Sequence, residues 1–477
     1  MASSVSSKNK KQKSALIWNA VERFSTQAIH LILSIIIARL LNPSDYGLVA
    51  MVSIFMAIAQ TLIDSGFSNA LIQKQNRTEV DFSTIFHFNN FASLFLYIVL
   101  YFGSIPISKF YDSSELIPVL RLFAFNLIIQ GLSIIQQTQL IIELRFKDKA
   151  KISLVAVIIS GICGIIMAYN DFGPYALVWQ IIIMNAITTI GLWIMKPWKP
   201  MLVFSLSSFR TLFKFSSKIM IGGLLHSVYT NIYSLIIGKI YNSAALGLYT
   251  KANNLSKTPS LQIATIIDQV SYPVLCGLQN DSVQLKTMFF KYLRLSSFII
   301  TPIMILLCCL ARPLVIILLG TKWEAMIIFL QVLSLAYILE PVQKFNWQLL
   351  NVHGRSDLSL KSEVVKKIIS ISLLLIAIQF DAIYVALSLL IYSVCDVIII
   401  IYFVRQITDI SYKEEIRQLK PFYIGGLLMC LLIYLTICLI SNVYISFIVG
   451  LLVGLVTYAI ICRLFNCPEL KHISKKL

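Results

Sequence analysis

The chain has 477 residues, 58% hydrophobic and only 13% charged, with 40 Lys and Arg against 22 Asp and Glu for a net charge of +18. Soluble domains carry about a quarter charged residues, so this composition excludes an ordinary soluble enzyme, a disordered chain and a fibrous repeat. The basic residues fall in short segments between long apolar runs rather than on one soluble face, which argues against nucleic acid as a partner. The chain reads as an all-α integral membrane protein.

An apolar helix needs about 20 residues to cross the hydrocarbon, and on that measure the chain holds about 14 transmembrane helices. Residues 1–14 form a basic N-terminus with Lys8, Lys10, Lys11 and Lys13. The apolar run behind it contains Glu22, Arg23 and His30 and lacks a small-residue cleavage site, so it reads as a retained span rather than a signal peptide. Six spans fill 15–196, a cytoplasmic linker covers 197–214, six more spans fill 215–405, two follow in 406–464, and 465–477 is a basic tail. Counted on alternate sides, most Lys and Arg fall with the N-terminus, among them Arg145, Lys147, Lys149, Lys196, Lys199, Arg210 and Lys214. The positive-inside rule then places both termini in the cytoplasm. No segment between spans has room for a soluble catalytic or ATP-binding domain, and no phosphate-binding GxxxxGK[ST] motif occurs. The nine cysteines lie mostly within spans, and Cys462 with Cys467 matches no metal-site spacing. Neither a metal nor an organic cofactor is expected.

A shift of 200 residues lays Ile36-Ile37-Ala38-Arg39-Leu40-Leu41-Asn42 on Ile236-Ile237-Gly238-Lys239-Ile240-Tyr241-Asn242, and Gly47-Leu48 on Gly247-Leu248. An even number of spans separates the copies, so they share one orientation and form a parallel repeat. The architecture expected is two six-helix lobes with two C-terminal helices.

Candidate site residues follow from polarity at membrane depth. On the first span Asn19, Glu22, Arg23, Thr26, Gln27, His30 and Ser34 recur every three or four positions and share one face. The second span carries Ser53, Gln60, Asp64 and Ser68, and the seventh His226, Thr230 and Tyr233. The eighth carries Lys251, Asn254, Thr258, Gln262, Thr265 and Asp268. Charges in hydrocarbon are costly unless paired or facing water, so these stripes are expected to line a hydrophilic cavity between the lobes. Arg23 and Asp64 lie at similar depths and predict an ion pair, as do Glu340 and Lys344 one turn apart. For Arg39 and Lys239, at helix ends, snorkelling to the interface is the plainer reading. His30 and His226 read equally well as packing residues or proton carriers.

The segment Ala38-Arg39-Leu40-Leu41-Asn42-Pro43-Ser44-Asp45-Tyr46-Gly47-Leu48 with Asp64-Ser65-Gly66-Phe67 resembles the polysaccharide transporter family. This is the Wzx-like branch of the multidrug/oligosaccharidyl-lipid/polysaccharide exporter superfamily. Gly247-Leu248-Tyr249-Thr250-Lys251-Ala252-Asn253-Asn254-Leu255, Ser271-Tyr272-Pro273 and Gly320-Thr321-Lys322-Trp323 resemble further patterns of that family. The resemblance implies a flippase of the bacterial inner membrane, not an enzyme, that moves an undecaprenyl-pyrophosphate-linked oligosaccharide for surface polysaccharide assembly. On that reading Arg23, Arg39, Lys239 and Lys251 contact the pyrophosphate, since an anion in a low dielectric needs Arg or Lys. Gln27, Gln60, Tyr233, Asn254 and Gln262 contact sugar hydroxyls. His30, Asp64, His226 and Asp268 couple transport to H+ or Na+. Expected partners are the lipid-linked oligosaccharide, membrane lipids, and a polysaccharide polymerase or glycosyltransferase. The alternatives are a lipid II flippase and a multidrug or cation antiporter of the same superfamily.

Overall fold

The computed structural model describes residues 2–64 and 66–470, with side chains described at Trp18 and from Glu22 onward. The side chains of Lys8, Lys10, Lys11, Lys13 and Asn19, all of Ser65, and the tail 471–477 lie outside the described residues. Among the described residues every regular element is helical. In chain order these are α1 (Ala2–Leu40), α2 (Pro43–Asp64), α3 (Phe67–Gln73), α4 (Glu79–Tyr111), α5 (Leu116–Gly131) and α6 (Ile134–Ile142). Then come α7 (Phe146–Tyr169), α8 (Pro174–Met195), α9 (Leu206–Ile240), α10 (Ser243–Gly277), α11 (Ser282–Cys309) and α12 (Ala311–Leu318). A 3-10 turn (Thr321–Met326) leads into α13 (Ile327–Tyr337), α14 (Glu340–Val352), α15 (Ser356–Ala377), α16 (Ala382–Val404), α17 (Tyr412–Leu439) and α18 (Val443–Leu464).

The fourteen predicted spans fall on these helices, but among the described residues the count by length and apolarity is 11, or 12 when the α5–α6 pair, bent by 42°, is taken as one broken span. The two that do not qualify are 247–275 on α10, which carries Lys251, Lys257 and Asp268, and 362–379 on α15, with Glu363, Lys366 and Lys367. Large apolar side chains such as Ile32, Phe91, Phe102, Ile190, Ile398 and Leu427 are exposed. That arrangement suits a chain whose solvent on those faces is lipid. The chain is a multi-pass membrane protein.

Local sequence explains the helix ends. Thr78 caps α4 by accepting from Asp81 N–H, while Asp81 Oδ2 accepts from Thr78 N–H at 2.8 Å, a capping box that Lys74 reinforces at 2.7 Å. Pro174 occupies the first turn of α8, and Ser205, Asp281, Ser411 and Asn442 cap α9, α11, α17 and α18. Thr78→Ala is expected to cost about 1 kcal/mol, read as a lower thermal midpoint of the purified protein. An unchanged midpoint would show the cap to be redundant with the Lys74–Asp81 pair.

The chain divides into two compact units, Met1–Gly247 and Leu248–Leu477. In the first, α7 packs on α1 and α8, α4 on α5, and α2 on α9. The seventh predicted span, which the sequence groups with the second lobe, is therefore packed against α2, α3 and α4 of the first unit. In the second unit α11 packs on α13, α14 and α17, α15 on α16, and α17 on α18. Phe289, Leu293, Phe345, Phe422 and Met429 form its fully buried core.

Two glycines that the 200-residue shift aligns lie at a close helix crossing. A Cβ on Gly47 would lie 1.7 Å from the carbonyl oxygen of Ser243, and one on Gly247 would lie 1.8 Å from that of Pro43. Each glycine thus meets the residue 200 positions away from its own helix start, and the first turns of α2 and α10 cross backbone to backbone.

Candidate functional site

A polar cavity of about 820 Å³ in the first unit is lined by α2, α3, α5, α6, α8 and α9. Its position follows from two breaks. Between α2 and α3, Gly66 adopts φ 72°, and a Cβ there would stand 2.9 Å from Cβ of Ile219 on α9, so only glycine fits both the turn and the close approach. Between α5 and α6 the helix bends at Leu132 and Ser133, where Ser133 Oγ donates back to Gln130 O at 2.9 Å. Both breaks turn polar side chains inward.

The wall is made of amides and hydroxyls. Gln60, Thr61 and Asp64 come from α2, Ser68 and Asn69 from α3, and Gln130 and Gln137 from α5 and α6. Asn185 and Thr188 come from α8, and His226, Thr230 and Asn231 from α9. Among the described residues Asp64 and His226 are the ionisable groups in the lining, and no Lys, Arg, Phe, Tyr or Trp belongs to it. Several groups are held in place: Asp64 Oδ1 accepts from Ser68 Oγ at 3.1 Å, and Asn231 Nδ2 donates to Ser227 O at 2.8 Å. Asn185 Nδ2 donates to Asn126 Oδ1 at 2.9 Å. Such a wall offers paired donors and acceptors without a net cationic field, which suits a neutral, hydroxyl-rich ligand.

The structure thus gathers Gln60, Asp64 and His226 in one cavity. It does not form the expected Arg23–Asp64 pair. Glu22, buried, instead accepts from Ser153 at 3.0 Å and lies 3.4 Å from Lys149, joining α1 to α7, while Arg23, Gln27 and Arg39 are exposed. His30 is half-buried on α1 and Tyr233 buried on α9. Lys239 is paired with Asp112 at 2.8 Å and stands over the Phe110 ring, so its end-of-helix charge is already neutralised.

On α10, in the second unit, Lys251 is buried and Asn254 and Gln262 are exposed. Asp268 accepts from Gln348 Nε2 at 2.6 Å and lies 3.8 Å from Lys344. Lys344 donates to Thr265 Oγ1 at 2.9 Å, so the expected Glu340–Lys344 pair gives way to contacts across to α10.

Sequence reasoning missed Gln130, Gln137 and Asn185 in the cavity. The run Gln136-Gln137-Thr138-Gln139 inside the fourth span was the available signal, since amides are as misplaced in hydrocarbon as charges. It also missed Lys366 on α15, which is buried between Glu363 at 2.6 Å and Asp396 of α16 at 3.3 Å.

The described residues thus form a helical, multi-pass fold with a polar cavity inside one unit. A family model described as "Polysaccharide biosynthesis protein" matches residues 36–328, and the chain belongs to that family. It is 26% identical over 420 residues to the lipopolysaccharide biosynthesis protein WzxC of Escherichia coli (strain K12), covering 86% of this chain and 84% of that one. It is 25% identical to the teichuronic acid biosynthesis protein TuaB of Bacillus subtilis (strain 168), over 72% of this chain and 71% of that one. The fold is similar to that of the lipid II flippase MurJ in an inward closed conformation, with TM-score 0.75, 16% identity, and 94% and 98% of the two chains covered. An inward-facing multidrug resistance MATE family transporter follows at TM-score 0.62 and 14% identity, with 80% and 94% covered.

Proposed function

We propose that the protein flips an undecaprenyl-pyrophosphate-linked oligosaccharide from the cytoplasmic to the outer leaflet of a bacterial cytoplasmic membrane, supplying surface polysaccharide such as O-antigen, capsule or exopolysaccharide. The supporting observation is the amide- and hydroxyl-lined cavity of about 820 Å³, whose wall pairs donors with acceptors as sugar hydroxyls do. Membership of a polysaccharide biosynthesis family supports the same substrate class. Sugars bind Gln60 and its neighbours in the cavity, with Gln27, Tyr233, Asn254 and Gln262 as further sugar contacts. The pyrophosphate binds Arg23 and Arg39, exposed and without an ion pair among the described residues, together with Lys251. Lys239 joins them only by leaving Asp112. Transport proceeds by alternating access coupled to H+ or Na+, with Asp64 and His226 in the cavity and His30 and Asp268 outside it as the coupling groups. Both termini are cytoplasmic, and a polymerase or glycosyltransferase receives or delivers the glycan.

The test is made in a host lacking the gene. Complete lipid-linked oligosaccharide is expected to accumulate on the cytoplasmic leaflet while surface glycan is lost; normal glycan with no accumulated intermediate would overturn the reading. Asp64→Asn is expected to insert normally and to cut export at least tenfold, because it removes the cavity's carboxylate charge while keeping its size. Full export with unchanged ion dependence would remove Asp64 from coupling. Lipid II as substrate draws support from the likeness to MurJ and would show as a defect in cell-wall rather than surface-glycan synthesis. The absence of aromatic side chains from the cavity lining argues against a multidrug antiporter.

A further inference from the structure

A second concavity, of about 520 Å³, opens at the end of the second unit where α10 and α14 finish and α15 begins. Of its lining, only Asp268 has a part in the coupling proposed above. Its lining combines two exposed aromatic rings, Tyr272 of α10 and Trp347 of α14, each 42% exposed, with Gln269, Asn351, Gln348 and Asp268. Two large aromatic rings that stay exposed beside polar groups in one concavity form a platform.

The polar groups around the rings are built rather than loose. Gln348 is 2% exposed and fixes Asp268: its Nε2 donates to Asp268 Oδ1 at 2.6 Å and lies 3.0 Å from Ser271 Oγ, which in turn donates to Gln348 Oε1 at 3.2 Å. Asn351 Nδ2 donates to the carbonyl of Trp347 at 3.1 Å, leaving its amide oxygen open. Gly354, at φ 68°, donates to Asn351 O and ends α14, which forms the rim.

We infer that this concavity is a pyranose-binding subsite, in which a sugar ring stacks on Trp347 or Tyr272 and its hydroxyls bond to Gln269, Asn351 and Asp268. The C–H face of a pyranose is apolar and carries slight positive charge, complementary to the negative face of an aromatic ring. Amide and carboxylate groups at the ring edge satisfy the equatorial hydroxyls. The formal charge in the lining is the Asp268 carboxylate, offset by Lys344 at 3.8 Å outside it, so no cation in the lining holds a uronic acid and a neutral hexose is preferred. The inference rests on the glycan-handling function proposed above and adds a site separate from the cavity of the first unit. Arg355 stands between the rim residues Gly354 and Ser356, and with the basic segments on the cytoplasmic side, as read above, the concavity is a capture site for the glycan before translocation.

The test uses the full-length protein in nanodiscs with two probes: the oligosaccharide released by mild acid from the lipid-linked intermediate of the deletion host, and maltotriose as a plain neutral pyranose. Binding is read by saturation-transfer NMR. Trp347→Ala is expected to weaken binding of at least one probe about tenfold, Trp347→Phe to retain most of it, and Gln269→Ala, at an exposed position, to weaken it several-fold without shifting the thermal midpoint. Wild-type affinity in both Trp347→Ala and Gln269→Ala, or no binding of either probe by the wild type, would overturn the subsite. If the deletion host accumulates no intermediate, the flippase reading falls while maltotriose still decides the subsite. If the intermediate accumulates but Trp347→Ala binds normally, the subsite falls and the flippase reading stands.

Discussion

Lys366→Met is expected to destabilise the second unit by about 3–5 kcal/mol, the largest effect of any single substitution considered. Lys366 is 6% exposed on α15, with Nζ 2.6 Å from Glu363 Oε1 and 3.3 Å from Asp396 Oδ1 on α16, itself 8% exposed. The contact to Asp396 is an ion pair without hydrogen-bond geometry; Asp396 Oδ2 accepts instead from Tyr392 OH at 3.2 Å. Removing the ammonium leaves Asp396 buried with no cation, whereas Asp396→Leu leaves Lys366 its Glu363 partner, which is 36% exposed. The order of damage should therefore be Lys366→Met worse than Asp396→Leu, with the double substitution recovering much of the loss. Thermal unfolding of the three purified variants reads this directly. A neutral Lys366→Met would show that the pair is solvated in the membrane-embedded protein.

Gly47→Ala is expected to cost about 1–3 kcal/mol by overpacking, and Gly247→Ala the same. The added methyl would fall 1.7 Å from a backbone oxygen, which no rotamer change relieves, so α2 and α10 must separate at their first turns. The adjacent control is Gly222→Ala on α9, which meets nothing within 4 Å and should be neutral or mildly stabilising, since alanine is the better helix former. Gly238→Ala lies between, because its nearest neighbour at 3.0 Å is the movable Tyr111 ring. Equal midpoints for Gly47→Ala and Gly222→Ala would dispose of the crossing as a structural constraint. If the crossing is real, the doubly substituted Gly47→Ala, Gly247→Ala chain should lose less than the sum, since one separation relieves both clashes.

Much of the architecture was legible from composition alone. Helices in lipid must satisfy every backbone group within the segment, so apolar length marks them, and all fourteen predicted spans fall on helices. The exact span count was not legible, because α10 and α15 carry buried charge and no longer look like lipid-facing helices. The 200-residue echo aligns Gly47 with Gly247, but the close backbone approach at these two glycines was visible only in the structure.

The site was legible only in part. Asp64, Gln60 and His226 stood out as polar residues in apolar runs, and they do share one cavity. Arg23 was expected to pair with Asp64 on depth alone, but depth gives no azimuth: Glu22 turns to Lys149 and Ser153 on α7, and Asp64 to Ser68 one turn on. Trp347 was not singled out at all, since one tryptophan near a helix end reads as an interface anchor. It gains meaning beside Tyr272, 75 residues earlier in the chain, in a common concavity.

What the sequence determined by itself was therefore whatever depends on one segment at a time: the apolar helical runs, the distribution of basic loops, the family resemblance and the polar stripes. Tertiary structure alone decided which stripes face each other, that α9 packs on α2 within the first unit, and that Lys366 of α15 meets Asp396 of α16. The reason is physical. Hydrophobicity and hydrogen bonding along a helix are local and additive, whereas an ion pair or a cavity depends on the rotation of each helix about its axis, which only packing against neighbours sets.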